Sequence, residues 1–291
     1  MANARQADQR EVHSLETARR AGAPSSEPAP VLVTRPAKGV IVLTLNRPST
    51  RNSLSLAMLE ALGAALREVS ADAETNVLVL AAVGSQFCAG HDLKELTFHR
   101  DDPDGGRAFY DLTMRHCTEV MQATVACPKP VIAAVEGVAT AAGCQLVATC
   151  DLAVAAQTAW FCTPGVNIGL FCSTPMVALS RNVPRKRAME MLLLGDMVPA
   201  ADAERYGLVN RVVPEGQALS AALELAGQIV AKSPAAIAHG KAAFYRQVEV
   251  PLAEAYRLAC DVMVANMMEA DAAEGVEAFL DKRPPVWTRD A

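Results

Sequence analysis

One local pattern occurs twice in this chain and limits what it can fold into more than any other feature. The buried-strand run Val77 to Ala82 leads into Phe87-Cys88-Ala89-Gly90-His91-Asp92-Leu93-Lys94-Glu95-Leu96. About fifty residues later, Val131 to Val135 leads into Glu136-Gly137-Val138-Ala139-Thr140-Ala141-Ala142-Gly143-Cys144-Gln145-Leu146. Each reads as an apolar strand, a glycine turn flanked by small residues, and the start of a helix. A strand-to-helix turn of this kind aims backbone N–H groups outward at a helix N-terminus, which suits an anion or a developing oxyanion.

Around these motifs, β-rich runs alternate with helical ones. Val40–Leu45 is predicted as a strand, ended by Asn46-Arg47-Pro48, because proline cannot continue a ladder. Leu56, Leu59, Leu62, Leu66 and Val69 form a helical stripe, and residues 107–126 are a second helix with Met114, Cys117, Val120, Met121 and Val125 inward. Pro128-Lys129-Pro130 stops that helix before the strand Val131–Val135. A helix over Ala142–Ala148 and a strand over Asp151–Ala155 follow. Beyond about residue 175 only Val209–Val213 reads as a strand. Helices are expected over 186–194, 200–206, 217–232, 234–246, 251–268 and 272–280. The rhythm predicts an α/β fold with parallel sheets covered on both faces.

Composition narrows the function. Net charge −5 lacks the basic footprint of a nucleic-acid binder but allows an anionic ligand held by local cations and helix ends. The five histidines are scattered and the eight cysteines include no C-x-x-C pair, so no metal is expected, and the thiols read as buried in a reducing compartment. No apolar run is long enough to span a bilayer. Residues 1–30 lack an apolar signal core and contain acidic residues, which points to a disordered tail and a cytoplasmic protein, or a mitochondrial-matrix one if eukaryotic. The expected organisation is a tail over 1–30, a core over 31–205 and a mainly helical region over 206–291.

From about residue 38 to 287, the chain resembles the enoyl-CoA hydratase/isomerase (crotonase) superfamily. The resemblance rests on ordered pieces: Leu45-Asn46-Arg47-Pro48 with Asn52-Ser53-Leu54, the Gly90-His91-Asp92 turn, Lys129-Pro130-Val131-Ile132-Ala133, Gly143-Cys144-Gln145, Cys150-Asp151, Gly207-Leu208-Val209, and Glu274 to Arg283. It implies a spiral of β-β-α turns followed by a helical C-terminal trimerisation region, assembled as a homotrimer or hexamer. It implies an acyl-CoA thioester as ligand, with no separate cofactor. By matching positions, the thioester oxygen would accept hydrogen bonds from the backbone N–H groups of His91 and Ala142. Thr50, Arg51, Ser53 and Lys94 would line the coenzyme A path, and Phe279 and Lys282 would contact its nucleotide, either within the chain or from a neighbouring subunit.

Hydration of a double bond also needs acid and base groups, and the family's hydratases use two glutamates. At the matching positions this chain has Gln145 and Gly165. Three readings follow. One is an enzyme that stabilises a thioester enolate without a glutamate base, as decarboxylation of a malonyl- or methylmalonyl-type thioester would allow. Another is a hydratase or isomerase with displaced groups, drawing on Asn167, Cys172, Ser173 or Asp92. The last is an acyl-CoA-binding protein without turnover. Pocket candidates are Gln145, Asn167 and Cys172. Asp92 also fits a plain helix-end carboxylate, and Cys172 a buried pocket or core thiol.

Overall fold

The computed structural model describes residues 28–288. The tail expected over 1–30 therefore lies, as far as residue 27, outside the described residues. Ten strands are seen: β1 (Val31–Ala37), β2 (Val40–Leu45), β3 (Val77–Ala82), β4 (Gln86–Cys88), β5 (Val131–Val135), β6 (Val138–Thr140), β7 (Leu152–Ala156), β8 (Trp160–Cys162), β9 (Val198–Pro199) and β10 (Arg211–Val213). The helices of the first half are α1 (Leu56–Ala71), α2 (Leu93–Phe98), α3 (Arg107–Ala126) and α4 (Ala142–Thr149). Those of the second half are α5 (Pro175–Asn182), α6 (Arg185–Leu194), α7 (Ala200–Tyr206), α8 (Ala218–Val230), α9 (Pro234–Gln247), α10 (Leu252–Met267) and α11 (Ala270–Leu280).

The strands form two sheets, ordered β1-β2-β3-β5-β7-β10 and β4-β6-β8-β9. Three successive strand pairs, β3–β4, β5–β6 and β7–β8, each contribute one strand to the large sheet and one to the small. Every turn of chain thus stacks parallel on the one before, which is the spiral expected. The sheets are not purely parallel. β1 pairs antiparallel with β2, and β9 antiparallel with β8, each at a sheet edge. Edge strands reached by a short hairpin or a returning loop need no crossover, so antiparallel pairing is the local solution there.

Both faces of the large sheet are buried, because successive side chains of an apolar run point to opposite sides. Ile41, Leu43, Leu45, Leu78, Leu80 and Val131 point into one cluster with Leu59, Leu62 and Leu66 of α1. Val40, Val42, Val77, Val79 and Ile132 point into another, closed by Ala218, Ala222 and Ala226 of α8. α8 is held to the spiral by Glu136, whose carboxylate accepts from the N–H groups of Gly216 and Ala218 at its N-terminus. In packing terms the division expected at residue 206 falls later, because β10 and α8 complete the large sheet's core. In α3 the inner face is Thr113, Cys117, Val120, Met121 and Thr124, so two threonines replace the expected Met114 and Val125. Thr124 is accommodated there because its hydroxyl bonds back to the Val120 carbonyl at 2.9 Å.

The last helices dock through a polar cluster rather than an apolar one. Lys241 on α9 donates to Asp151 at 2.6 Å and to the Thr124 and Lys129 carbonyls. Tyr245 donates to the other Asp151 oxygen at 2.8 Å, and Val131 N–H donates to the first. Much of the rest of α10 and α11 is apolar yet exposed, including Leu252, Tyr256, Met263, Met267, Phe279 and Leu280.

Candidate active site

The two strand-to-helix turns meet, and glycine is what lets them. A methyl group placed on Gly143 would lie 2.3 Å from the Cys88 carbonyl oxygen and 2.8 Å from Cys88 Cβ, so the start of α4 touches the end of β4 backbone to backbone. Gly90 has φ +81°, and a methyl there would lie 3.2 Å from Ala142 N and 3.0 Å from the Thr140 carbonyl. Ala141 between them has φ 51° and ψ −118°, a conformation that costs a non-glycine residue about 1–3 kcal/mol. Two hydrogen bonds hold it there: its N–H donates to the Cys162 carbonyl, and its carbonyl accepts from Gln145 N–H. Among the described residues, neither His91 N–H nor Ala142 N–H donates to any protein acceptor. The second is an unsatisfied donor by construction, because Ala142 opens a helix.

The first turn is fixed from the 47–55 loop. Asn52 is fully buried, donates to the Val83 and Gln86 carbonyls, and accepts from Arg47 N–H. The Leu54 N–H donates to the Gly90 carbonyl at 2.7 Å. Asp92 caps α2 by accepting from the N–H groups of Lys94 and Glu95, and it also accepts from Ser53 Oγ at 2.8 Å. Burial alone would raise its pKa. The Ser53 hydroxyl and the two N–H groups outweigh that and hold the carboxyl below its ordinary value. Asp92 is thus a cap, and Ser53 is buried with its hydroxyl engaged.

His91, Ala142, Gln145 and Cys172 all belong to these turns or the wall beside them. The His91 ring nitrogens are both buried without a partner, and burial pushes the imidazole below its ordinary pKa, with the Leu54 backbone opposing. Gln145 is 5% exposed, and its Oε1 has no partner. It stands three residues after Ala142, on the same face of the helix. Gly165 is buried, and a methyl on it would meet the Leu170 carbonyl at 2.8 Å and Cys172 Sγ at 3.0 Å. The loop Gly169–Cys172 has closed over the place a side chain at 165 would need. Burial raises the pKa of Cys172, with the Gly165 N–H opposing, and it raises those of Cys144 and Cys162 as well.

The remaining expected site residues are exposed. Asn167 is exposed, and its amide nitrogen lies 3.1 Å from the Cβ position of Gly195, at the end of α6. Thr50, Arg51 and Lys94 are exposed near the first turn, Arg51 with φ 56°. Phe279 and Lys282 are exposed at the end of α11, which packs on α9 and α10 and not on the two turns. Grooves between α9 and α10, and at the α6–α7 junction, lie on other elements and add nothing to this site. Sequence reasoning missed Asn52 and Ala141. An asparagine four residues after the Arg47-Pro48 strand end was the available signal for the first, and no signal in the sequence marks the second.

A family model for enoyl-CoA hydratase/isomerase matches residues 35–290. The rat protein named enoyl-CoA hydratase domain-containing protein 3, mitochondrial, is 46% identical over 272 residues, covering 94% of this chain and 88% of its own. A crystal structure of an enoyl-CoA hydratase from Mycobacterium smegmatis matches with a TM-score of 0.85 at 53% identity, covering 90% of this chain and 99% of that one. The crystal structure of human enoyl-CoA hydratase domain-containing protein 3 matches with a TM-score of 0.84 at 44% identity, covering 89% of this chain and all of that one.

Proposed function

This chain belongs to the enoyl-CoA hydratase/isomerase family, and from that premise we propose that it binds an acyl-CoA thioester and stabilises its enolate without the two-glutamate chemistry of a hydratase. The observation that carries the reading is the pair of unsatisfied N–H groups, His91 and Ala142, brought side by side by Gly90 and Gly143. A thioester oxygen set between them would accept two hydrogen bonds, and those bonds strengthen as negative charge develops on it. Each such donor is worth about 2.7–4 kcal/mol of transition-state stabilisation.

Gln145 has no usable pKa and Gly165 no side chain. The nearby carboxylate of Asp92 is committed as a cap, and that of Glu95 accepts from Leu56 N–H at 3.0 Å. Without a carboxylate base, an enolate is best supplied by loss of CO2, so a malonyl- or methylmalonyl-type thioester is the favoured substrate class over an enoyl thioester. The exposed apolar residues of α10 and α11 favour self-association as a trimer or hexamer. The names of the vertebrate relatives favour a mitochondrial location over the cytoplasm where the chain is eukaryotic.

The test is turnover of crotonyl-CoA and methylmalonyl-CoA in parallel, followed by product mass. Loss of CO2 from the second without hydration of the first is expected. Hydration of crotonyl-CoA at about 10 per second or faster, an ordinary enzymatic rate, would overturn the reading. Silence on both, with acyl-CoA still raising the melting temperature, would make the protein a binder.

A further inference from the structure

We propose that the Cys172 thiol is the proton carrier of this site, delivering a proton to the α-carbon of the bound acyl thioester and removing one in the reverse direction. The inference rests on the reading of a thioester held by the His91 and Ala142 N–H groups. It comes from asking which side chains there can move a proton at all. Asp92 is a cap, and the His91 imidazole is buried against the Leu54 backbone, the one group found to act on its ring besides burial itself. Cys88 and Cys144 are fully buried, and the Cys162 thiol donates to Thr140 Oγ1 at 3.2 Å. The Cys172 thiol donates to no acceptor among the described residues.

Its position is built by the fold. Cys172 Sγ lies 3.0 Å from where a side chain at Gly165 would begin, so it fills that residue's space. The same wall runs back through Thr163 to Cys162, whose carbonyl holds Ala141, the residue before the Ala142 N–H. Thr163 is fixed in turn by its hydroxyl, which donates to the Met191 carbonyl. An independent sign of a ligand is Gln145, one helical turn from the Ala142 N–H on the same face, whose buried amide oxygen has no partner.

In the step itself, the electron pair of the enolate double bond forms the new C–H bond at the α-carbon. The S–H bond breaks, its pair stays on sulfur, and the thioester carbonyl re-forms as charge leaves its oxygen. The thiolate then takes a proton from water. Burial keeps the thiol protonated at neutral pH, the form a proton donor needs.

The experiment is exchange of the α-protons of butyryl-CoA in D2O, followed by proton NMR, with thermal shift on the same samples. Wild-type protein should exchange them, at a rate rising about tenfold per pH unit through neutrality as thiolate forms. Cys172→Ala and Cys172→Ser should each exchange at least about 100-fold more slowly, the usual scale of acid–base catalysis, with the butyryl-CoA thermal shift kept. The serine variant preserves the side-chain volume and answers the question if the alanine variant folds poorly. Exchange at the wild-type rate in either variant, or binding without exchange in the wild type, would overturn the role of Cys172. No thermal shift with wild-type protein would overturn the thioester reading beneath it.

Discussion

Replacing Gly143 with alanine should have opposite signs depending on whether the two turns truly meet. In an open helix the change would stabilise by roughly 0.8–1 kcal/mol, because alanine is the better helix former. Here the added methyl would lie 2.3 Å from the Cys88 carbonyl oxygen, 2.8 Å from Cys88 Cβ and 2.9 Å from its carbonyl carbon. Two of those three atoms are backbone, so no side chain can rotate away, and β4 and α4 would have to separate by about 1 Å to restore ordinary contact. Overpacking of this kind costs about 1–3 kcal/mol, and a backbone clash belongs at the upper end. Net of the propensity gain, Gly143→Ala should destabilise by about 2 kcal/mol. The same separation displaces the His91 and Ala142 N–H groups relative to one another, and a misplacement of about 1 Å can cost roughly 100-fold in rate. Urea unfolding gives the first quantity, and acyl-CoA thermal shift and turnover give the second. A variant as stable as the wild type or more so would refute the backbone contact, and with it the meeting of the turns.

Other outcomes follow from the packing. Lys241→Met should destabilise by about 3 kcal/mol in urea unfolding, since it removes one partner of a buried ion pair and leaves Asp151 with only Tyr245 and Val131. The Asp92 carboxyl is lowered in the folded state, so its contribution to stability is complete above the unfolded pKa of about 3.9 and is lost as pH falls through the lower folded value. Ser53→Ala should move that loss to higher pH, as seen by carbon-detected titration of Asp92. Seven of the eight cysteines are buried, so before the protein unfolds a thiol reagent should modify no more than Cys260 and, through the proposed site, Cys172, the latter protected by bound acyl-CoA.

What could be read in advance was whatever announced itself by a long apolar run or stripe. β2, β3, β5 and β7 are such runs, and α1 and α3 carry helical spacing over many turns. β4, β6 and β8 are three residues each, too short to show alternation, and only the spiral that stacks them makes them strands. β1 was hidden for a different reason: all but its first residue is exposed, so its side chains carry no burial signal. α5 is a single short helix opened by Pro175 and docked by Asn182, which donates to the Ala148 carbonyl. At the site, the glycine turns were legible because local chain geometry places them, and Gln145 through its match to a family position. The occupation of the Gly165 space by Cys172 was not, since it depends on how the loop between them folds back: Leu170 N–H returns to the Gly165 carbonyl and Gly169 turns with φ +78°. Asn167 looked equally plausible in sequence, and the structure leaves it exposed.

Isotope-edited infrared spectroscopy of an acyl-CoA carrying carbon-13 at the thioester carbonyl bears most directly on the claim that His91 and Ala142 receive that oxygen. Two converging N–H donors polarise the bond, so the carbonyl stretch should fall to lower wavenumber on binding and return toward its free value in Gly143→Ala. A bound thioester whose carbonyl stretch matches that in water or lies above it would contradict the account.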